Sequence, residues 1–141
     1  MFSGNFEKGI LNGEGKIEFV DAFLYEGGIK NNNFHGKGKV TDFRTREVIE
    51  ANFNDGLIVG DVKINYKNGD SYFGGVRTNG WAIKEGKGIY YFKNGDRFEG
   101  KFLKDVCEYG SMVYKNGKTT KGSLSGAPPF FIKIWLPVKL N

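Results

Sequence analysis

The stretch GKGIYYFKNGDRFEGKF, residues 86–102, decides how this chain folds. On both sides of Lys93-Asn94-Gly95-Asp96 apolar residues alternate with others, which is the period of a β-strand. An Asn-Gly pair between two such runs suits the positive φ angles of a two-residue hairpin turn. The same corner stands at Lys67-Asn68-Gly69-Asp70 and at Lys115-Asn116-Gly117-Lys118.

Working outward, a triplet of a large apolar residue, a small residue and a second apolar residue recurs along the chain. It is seen at Phe2-Gly4-Phe6, Tyr25-Gly27-Ile29, Ile49-Ala51-Phe53, Tyr72-Gly74-Val76, Phe98-Gly100-Phe102 and, fading, Thr120-Gly122-Leu124, with starts 22 to 26 residues apart. A glycine-containing loop follows each, and then a second alternating run, as in Gly13–Phe19, Gly36–Val40, Gly60–Tyr66 and Gly86–Phe92. The fifth unit reads Gly110-Ser111-Met112-Val113-Tyr114, one residue short of that register. Each unit is therefore two strands of about five residues, and successive hairpins predict a growing antiparallel meander with no helix before the tail. The second unit departs, with Asp42 at the aromatic position and Arg44-Thr45-Arg46-Glu47 in place of the Asn-Gly corner, so a bulge or longer hairpin is expected there. The small residue of each triplet leaves a slot for a neighbouring ring, which predicts an aromatic ladder along one face.

Composition agrees with this pattern. The 141 residues amount to one domain, and aromatics at 16% can bury enough area to order the chain. The 22 glycines have no three-residue period and only 3 prolines accompany them, which excludes collagen. Cys107 is the single cysteine, so no internal disulfide forms and a reducing, cytoplasmic setting is expected. Met1-Phe2-Ser3-Gly4 is not a basic segment followed by an apolar core, and no run approaches the ~20 apolar residues of a membrane span, so no signal sequence is expected. Net charge is +5, split as −2 over residues 1–70 and +7 over 71–141, so basicity is C-terminal.

Repeated in register, Tyr/Phe-x-Gly-x-Phe/Ile followed by a loop and Gly-x-Gly-x-apolar-x-aromatic resembles the membrane occupation and recognition nexus (MORN) repeat family over residues 2–124. The resemblance implies an all-β fold, an elongated, curved or twisted single-layer antiparallel β-meander of about five to six repeats with two strands each. It further implies a scaffold rather than an enzyme, with members that bind protein segments, self-associate or are proposed to meet acidic phospholipids. The expected division is a sheet over 1–126 and a C-terminal apolar strand or capping segment over 127–141.

No constellation of residues calls for catalysis, a metal or a cofactor. His35 is the lone histidine and reads as a loop residue, and Cys107 lacks a second thiol. Glu26, Glu50 and Glu99 recur at one strand position, which reads as a solvated ladder pairing with lysines rather than a glycosidase pair. The Gly-x-Gly pairs lack the lysine and the strand-to-helix context of a phosphate loop.

Recognition surfaces are the better candidates. A groove lined by Phe6, Phe19, Tyr25, Tyr66, Tyr72, Phe92, Phe98, Phe102 and Tyr114 is expected to take an amphipathic helix or an extended segment of a protein partner. On the opposite face the early repeats are polar, whereas repeat four and its longer loop supply Phe73, Trp81, Ile83, Ile89 and Tyr91, an apolar patch of the kind that marks an interface. The alternating apolar segment after Pro128-Pro129 is an equal candidate to cover that patch from within. As alternatives, Arg77, Lys84, Lys87, Lys93, Arg97 and Lys101 would meet anionic headgroups of a membrane surface, or an open edge or the C-terminal segment would make a homodimer. Nucleic acid is the least favoured partner, because acids interrupt the basic residues.

Overall fold

A computed structural model describes residues 2–7, 10–77, 80–125 and 132–134, with side chains over 12–77, 83–107 and 109–122. Twelve strands follow one another: β1 (Phe2–Glu7), β2 (Ile10–Phe19), β3 (Phe23–Lys30), β4 (Asn33–Asp42), β5 (Val48–Asn54), β6 (Leu57–Asn65), β7 (Ser71–Arg77), β8 (Gly80–Tyr91), β9 (Arg97–Phe102), β10 (Cys107–Val113), β11 (Thr119–Ser125) and β12 (Ile132–Ile134). They lie side by side in sequence order as one antiparallel sheet, which is open rather than closed into a barrel, and the described residues include no helix.

The triplets line up across this sheet. Starting positions Phe2, Tyr25, Ile49, Tyr72, Phe98 and Thr120 fall in one transverse row, each paired with the apolar residues of the intervening strands, such as Ile17, Val40, Ile64, Tyr90 and Met112. Two residues away runs a row of small residues in which Gly15 opposes Gly27, Gly27 opposes Gly38, Gly74 opposes Gly88 and Gly88 opposes Gly100. Strand pairing with period two puts both rows on the same face.

Local structure differs from the sequence expectation in three ways. Second strands are longer than five residues, 10 in β4 and 12 in β8, because the glycine-containing loops read between runs are themselves strand carrying a bulge. His35 therefore lies within β4 and not in a loop. The fifth unit is not short: Gly110 opposes Gly100 and Met112 opposes Phe98, so Glu108 simply replaces the first glycine.

The turns also exchange roles. At Lys67-Asn68-Gly69 the carbonyl of Tyr66 accepts the Gly69 N–H at 3.1 Å and the Tyr66 N–H donates to Asp70 O at 3.0 Å, with positive φ at Gly69 alone (96°). This is a three-residue loop ending in a glycine bulge, and the Asn94-Gly95 and Asn116-Gly117 corners repeat it. Asn68 keeps negative φ because its side chain supplies the turn: Oδ1 accepts the Asp70 N–H at 2.9 Å. Two-residue turns with both φ positive occur instead inside the units, at Asn31-Asn32, Asp55-Gly56 and Lys104-Asp105. The longer corner expected after Asp42 is present, capped by Asp42 Oδ1, which accepts the N–H groups of Arg44 and Thr45.

Candidate functional site

One face of the sheet is apolar and covers itself. Tyr25, Tyr72, Tyr90 and Phe98 have no exposed area and Phe102 has 1%. Their rings close over the small-residue row: a side chain on Gly38 would run into the Tyr25 ring, and one on Gly88 into the Tyr72 ring. Each tyrosine then donates its hydroxyl to the next bulge, Tyr25 to Gly28 O at 2.6 Å and Tyr72 to Gly75 O at 2.7 Å. Ring contacts carry the packing between strands, with Tyr25 stacked on Phe34 at 3.8 Å and Tyr72 edge-on to Phe102 at 5.5 Å. Burial pushes the Tyr25 hydroxyl up to about 12, with the Glu14 carboxylate adding to the shift.

The expected groove residues are thus divided by their exposure. Tyr25, Tyr66, Tyr72, Phe98 and Phe102 are buried as a floor, Phe92 and Tyr114 are half-buried against the core, and Phe19 is 41% exposed. The side chain of Phe6 lies outside the described residues. Sequence reading missed Tyr90 and Met112, which complete the row; their period-two position relative to Phe92 and Tyr114 was the available signal.

A buried polar cluster interrupts this face. Lys84, expected at a membrane surface, is fully buried: its Nζ lies 2.8 Å from Asp105 Oδ1 and 5.8 Å from the centre of the Tyr72 ring. The longer repeat-four loop shifts the strand so that Lys84 pairs with Val76 and points to the core face. Asp105 Oδ1 also accepts the Lys84 N–H at 2.8 Å, and the Asp105 N–H donates to Lys84 O at 3.1 Å, so the β9–β10 turn is tied to β8. Desolvation lowers the Lys84 pKa, opposed by the Asp105 hydrogen bond and charge and by Glu47. Glu47 is buried beside it, its pKa raised by desolvation and by Asp42. The hydroxyl of Tyr66 is buried there without a hydrogen-bond partner.

The opposite face is polar and regularly charged. Lys16, Glu26, Lys39, Glu50 and Lys63 stand opposite one another across five adjacent strands, with Glu26 3.5 Å from Lys16 and 3.8 Å from Lys39. The expected solvated ladder is therefore the arrangement in which Glu26 and Glu50 are found. Phe73 and Ile89 then take the next two places as direct cross-strand partners, and Glu99 follows. Phe73 is 48% exposed and Tyr91 40%, while Ile83 and Ile89 are half-buried. Trp81 has no described side chain. Of the basic residues, Arg77 pairs with Glu85 at 3.4 Å, Arg97 with Glu99 at 2.8 Å, Lys87 and Lys101 oppose each other, and Lys93 covers Gly69 at the turn edge. Lys84 thus lies on the core face and Lys93 at the turn edge, while Lys87, Arg97 and Lys101 stand on the face opposite the rings.

Cys107 is buried, with its Sγ in the space above Gly100 and donating to Tyr109 O at 3.1 Å. At the C-terminal edge β12 pairs with β11, Ile134 opposite Ser123. Of the segment after residue 126 only Ile132–Ile134 is described, and the expectation that this segment covers Phe73 otherwise lies outside the described residues. No helix is long and apolar enough to cross a membrane, and no group of three metal-ligating side chains occurs among the described residues.

An open antiparallel meander with a self-covered aromatic face and a charged opposite face defines a β-hairpin repeat protein. A family model described as MORN repeat matches the chain at three stretches, residues 2–21, 25–42 and 83–97. No curated protein matches the chain. MORN repeats are non-catalytic modules that generally serve interaction with proteins or membranes.

Proposed function

We propose that the chain is a non-enzymatic scaffold that binds a segment of a partner protein along its aromatic face. The observation that carries this reading is the accessibility of Phe19, Phe92 and Tyr114 at the margins of a floor of buried rings. A partner side chain can extend the ring stack there without displacing Tyr72 or Phe98, and aromatic margins of this kind supply large contact area at low entropic cost. Among the described residues no second layer covers this face.

Selection of binders from a displayed library of amphipathic peptides tests the reading. Binders are expected to weaken at least about tenfold with Phe92→Ala and Tyr114→Ala, while circular dichroism stays unchanged. If those variants fold and hold every selected peptide as the parent does, the aromatic face is not the site. Sedimentation with anionic vesicles forms the second arm, and vesicle binding without peptide binding replaces the protein partner by a membrane.

A further inference from the structure

The apolar break in the charged ladder is bordered in a self-complementary way. Phe73 on β7 faces Ile89 on β8, Lys63 on β6 flanks Phe73, and Glu99 on β9 flanks Ile89. One step along the same two outer strands stand Asp61 on β6 and Lys101 on β9, both exposed. Base and acid thus follow in opposite order on the two sides of the patch. No salt bridge inside the described residues uses Lys63, Asp61 or Lys101, and Glu99, 2.8 Å from Arg97 Nε on its own strand, has its other carboxylate oxygen for a partner across the axis.

We propose that a second copy of this chain docks face to face on this patch, about a two-fold axis parallel to the strands and midway between β7 and β8. Such a rotation lays β7 on the second copy's β8 and β6 on its β9. Phe73 then meets the second copy's Ile89, Lys63 meets Glu99 and Asp61 meets Lys101, and every contact occurs twice, as an isologous interface requires. Sheets packed in this way lie about 10 Å apart, within reach of these side chains. The half-exposed Phe73 ring loses its contact with water, and the charged border selects this register over its neighbours, because displacement by one strand sets Lys63 against Ile89. The face carries acid among its bases, Asp61 and Glu99 beside Lys63, Lys87 and Lys101, a mixed border that suits a self-complementary partner rather than a uniformly anionic membrane.

Sedimentation velocity of the full chain over a range of concentrations is the test. A reversible dimer is expected, weakened at least about tenfold by Phe73→Ser and by either Lys63→Glu or Glu99→Lys. The double variant Lys63→Glu/Glu99→Lys restores opposite charges across the axis and is expected to dimerise again to within a few-fold of the parent. Circular dichroism of each variant establishes that the strands are kept, which is expected because the replaced side chains lie on the surface. A monomer at every concentration overturns the proposal, as does a dimer indifferent to Phe73→Ser and Lys63→Glu, or a double variant no better than the singles. The peptide-binding face lies on the other side of the sheet, so failure of either proposal leaves the other standing.

Discussion

Tyr72 occupies the space that a side chain on Gly88 would need, so a ring on β7 and a gap on β8 form one packed unit. Adding a methyl at Gly88 forces the ring off its rotamer and strains the Tyr72–Gly75 hydrogen bond. Gly88→Ala is expected to destabilise by roughly 1–3 kcal/mol in denaturant unfolding. The third repeat shows the compensation, since Ile49, Ala51 and Val62 take the places of Tyr72, Gly74 and Gly88. Combining Gly88→Ala with Tyr72→Ile should therefore cost less than the sum of the two changes, and strict additivity in the cycle would contradict the packing assignment.

Successive turns are bound together by a carboxylate. Asp70 accepts the Lys93 N–H and the Tyr90 hydroxyl, each at 2.8 Å, whereas Asp96 accepts the Lys115 N–H at 2.9 Å with no such tyrosine. Asp70→Ala leaves the buried Tyr90 hydroxyl without that acceptor. Its cost, about 1–3 kcal/mol, is expected to exceed that of Asp96→Ala. Equal effects in thermal unfolding would mean that the Tyr90 contact contributes little.

Breaking the buried pair should depend on which partner is removed. Asp105→Ala removes the carboxylate 2.8 Å from the buried Lys84 ammonium, leaving Glu47 as the neighbouring acid, and is expected to cost roughly 3 kcal/mol. Lys84→Met removes the charge that had to be desolvated and leaves Asp105, whose side chain is 19% exposed, able to reach water. Lys84→Met is therefore expected to be the milder change, and the reverse order in urea midpoints would refute this account.

Glu47 links stability to pH. Its folded pKa is raised, by desolvation first and by Asp42 second, so the folded state holds the proton more tightly than the unfolded chain does. The corresponding stability is complete below the ordinary carboxylate range and is lost as pH rises through the raised value. Glu47→Gln should flatten that decline, seen as a smaller fall in melting temperature between acid and neutral pH. An unchanged slope would show that Glu47 titrates normally.

Cys107 should resist modification. Burial raises its pKa and its Sγ is enclosed over Gly100, so both thiolate fraction and access are low. A disulfide-exchange reagent is expected to react slowly with the native chain and rapidly in denaturant. Fast native labelling would indicate that the β9–β10 hairpin opens readily.

What the chain spells out on its own is everything carried by neighbouring residues in strand period. Tyr25-x-Gly27 and Phe98-x-Gly100 mark both the ring and its gap, so the repeat, the all-β meander and the division into an aromatic and a charged face are legible without coordinates. The turn type was not, because Asn-Gly is compatible with two loops and the choice rests on Asn68 bonding to Asp70, and on Asp70 bonding to a turn in the following repeat. Nor was the fate of Lys84, whose direction depends on how the longer loop before it is absorbed and whose partner is 21 residues away. Only tertiary structure brings Lys84, Asp105 and Glu47 together and decides that Tyr72 and Phe98 are floor while Phe92 and Tyr114 are margin. Local pattern fixes the face of a side chain where strand register is unbroken, whereas a bulge can reverse it, and burial depends on which rings of neighbouring strands close over it.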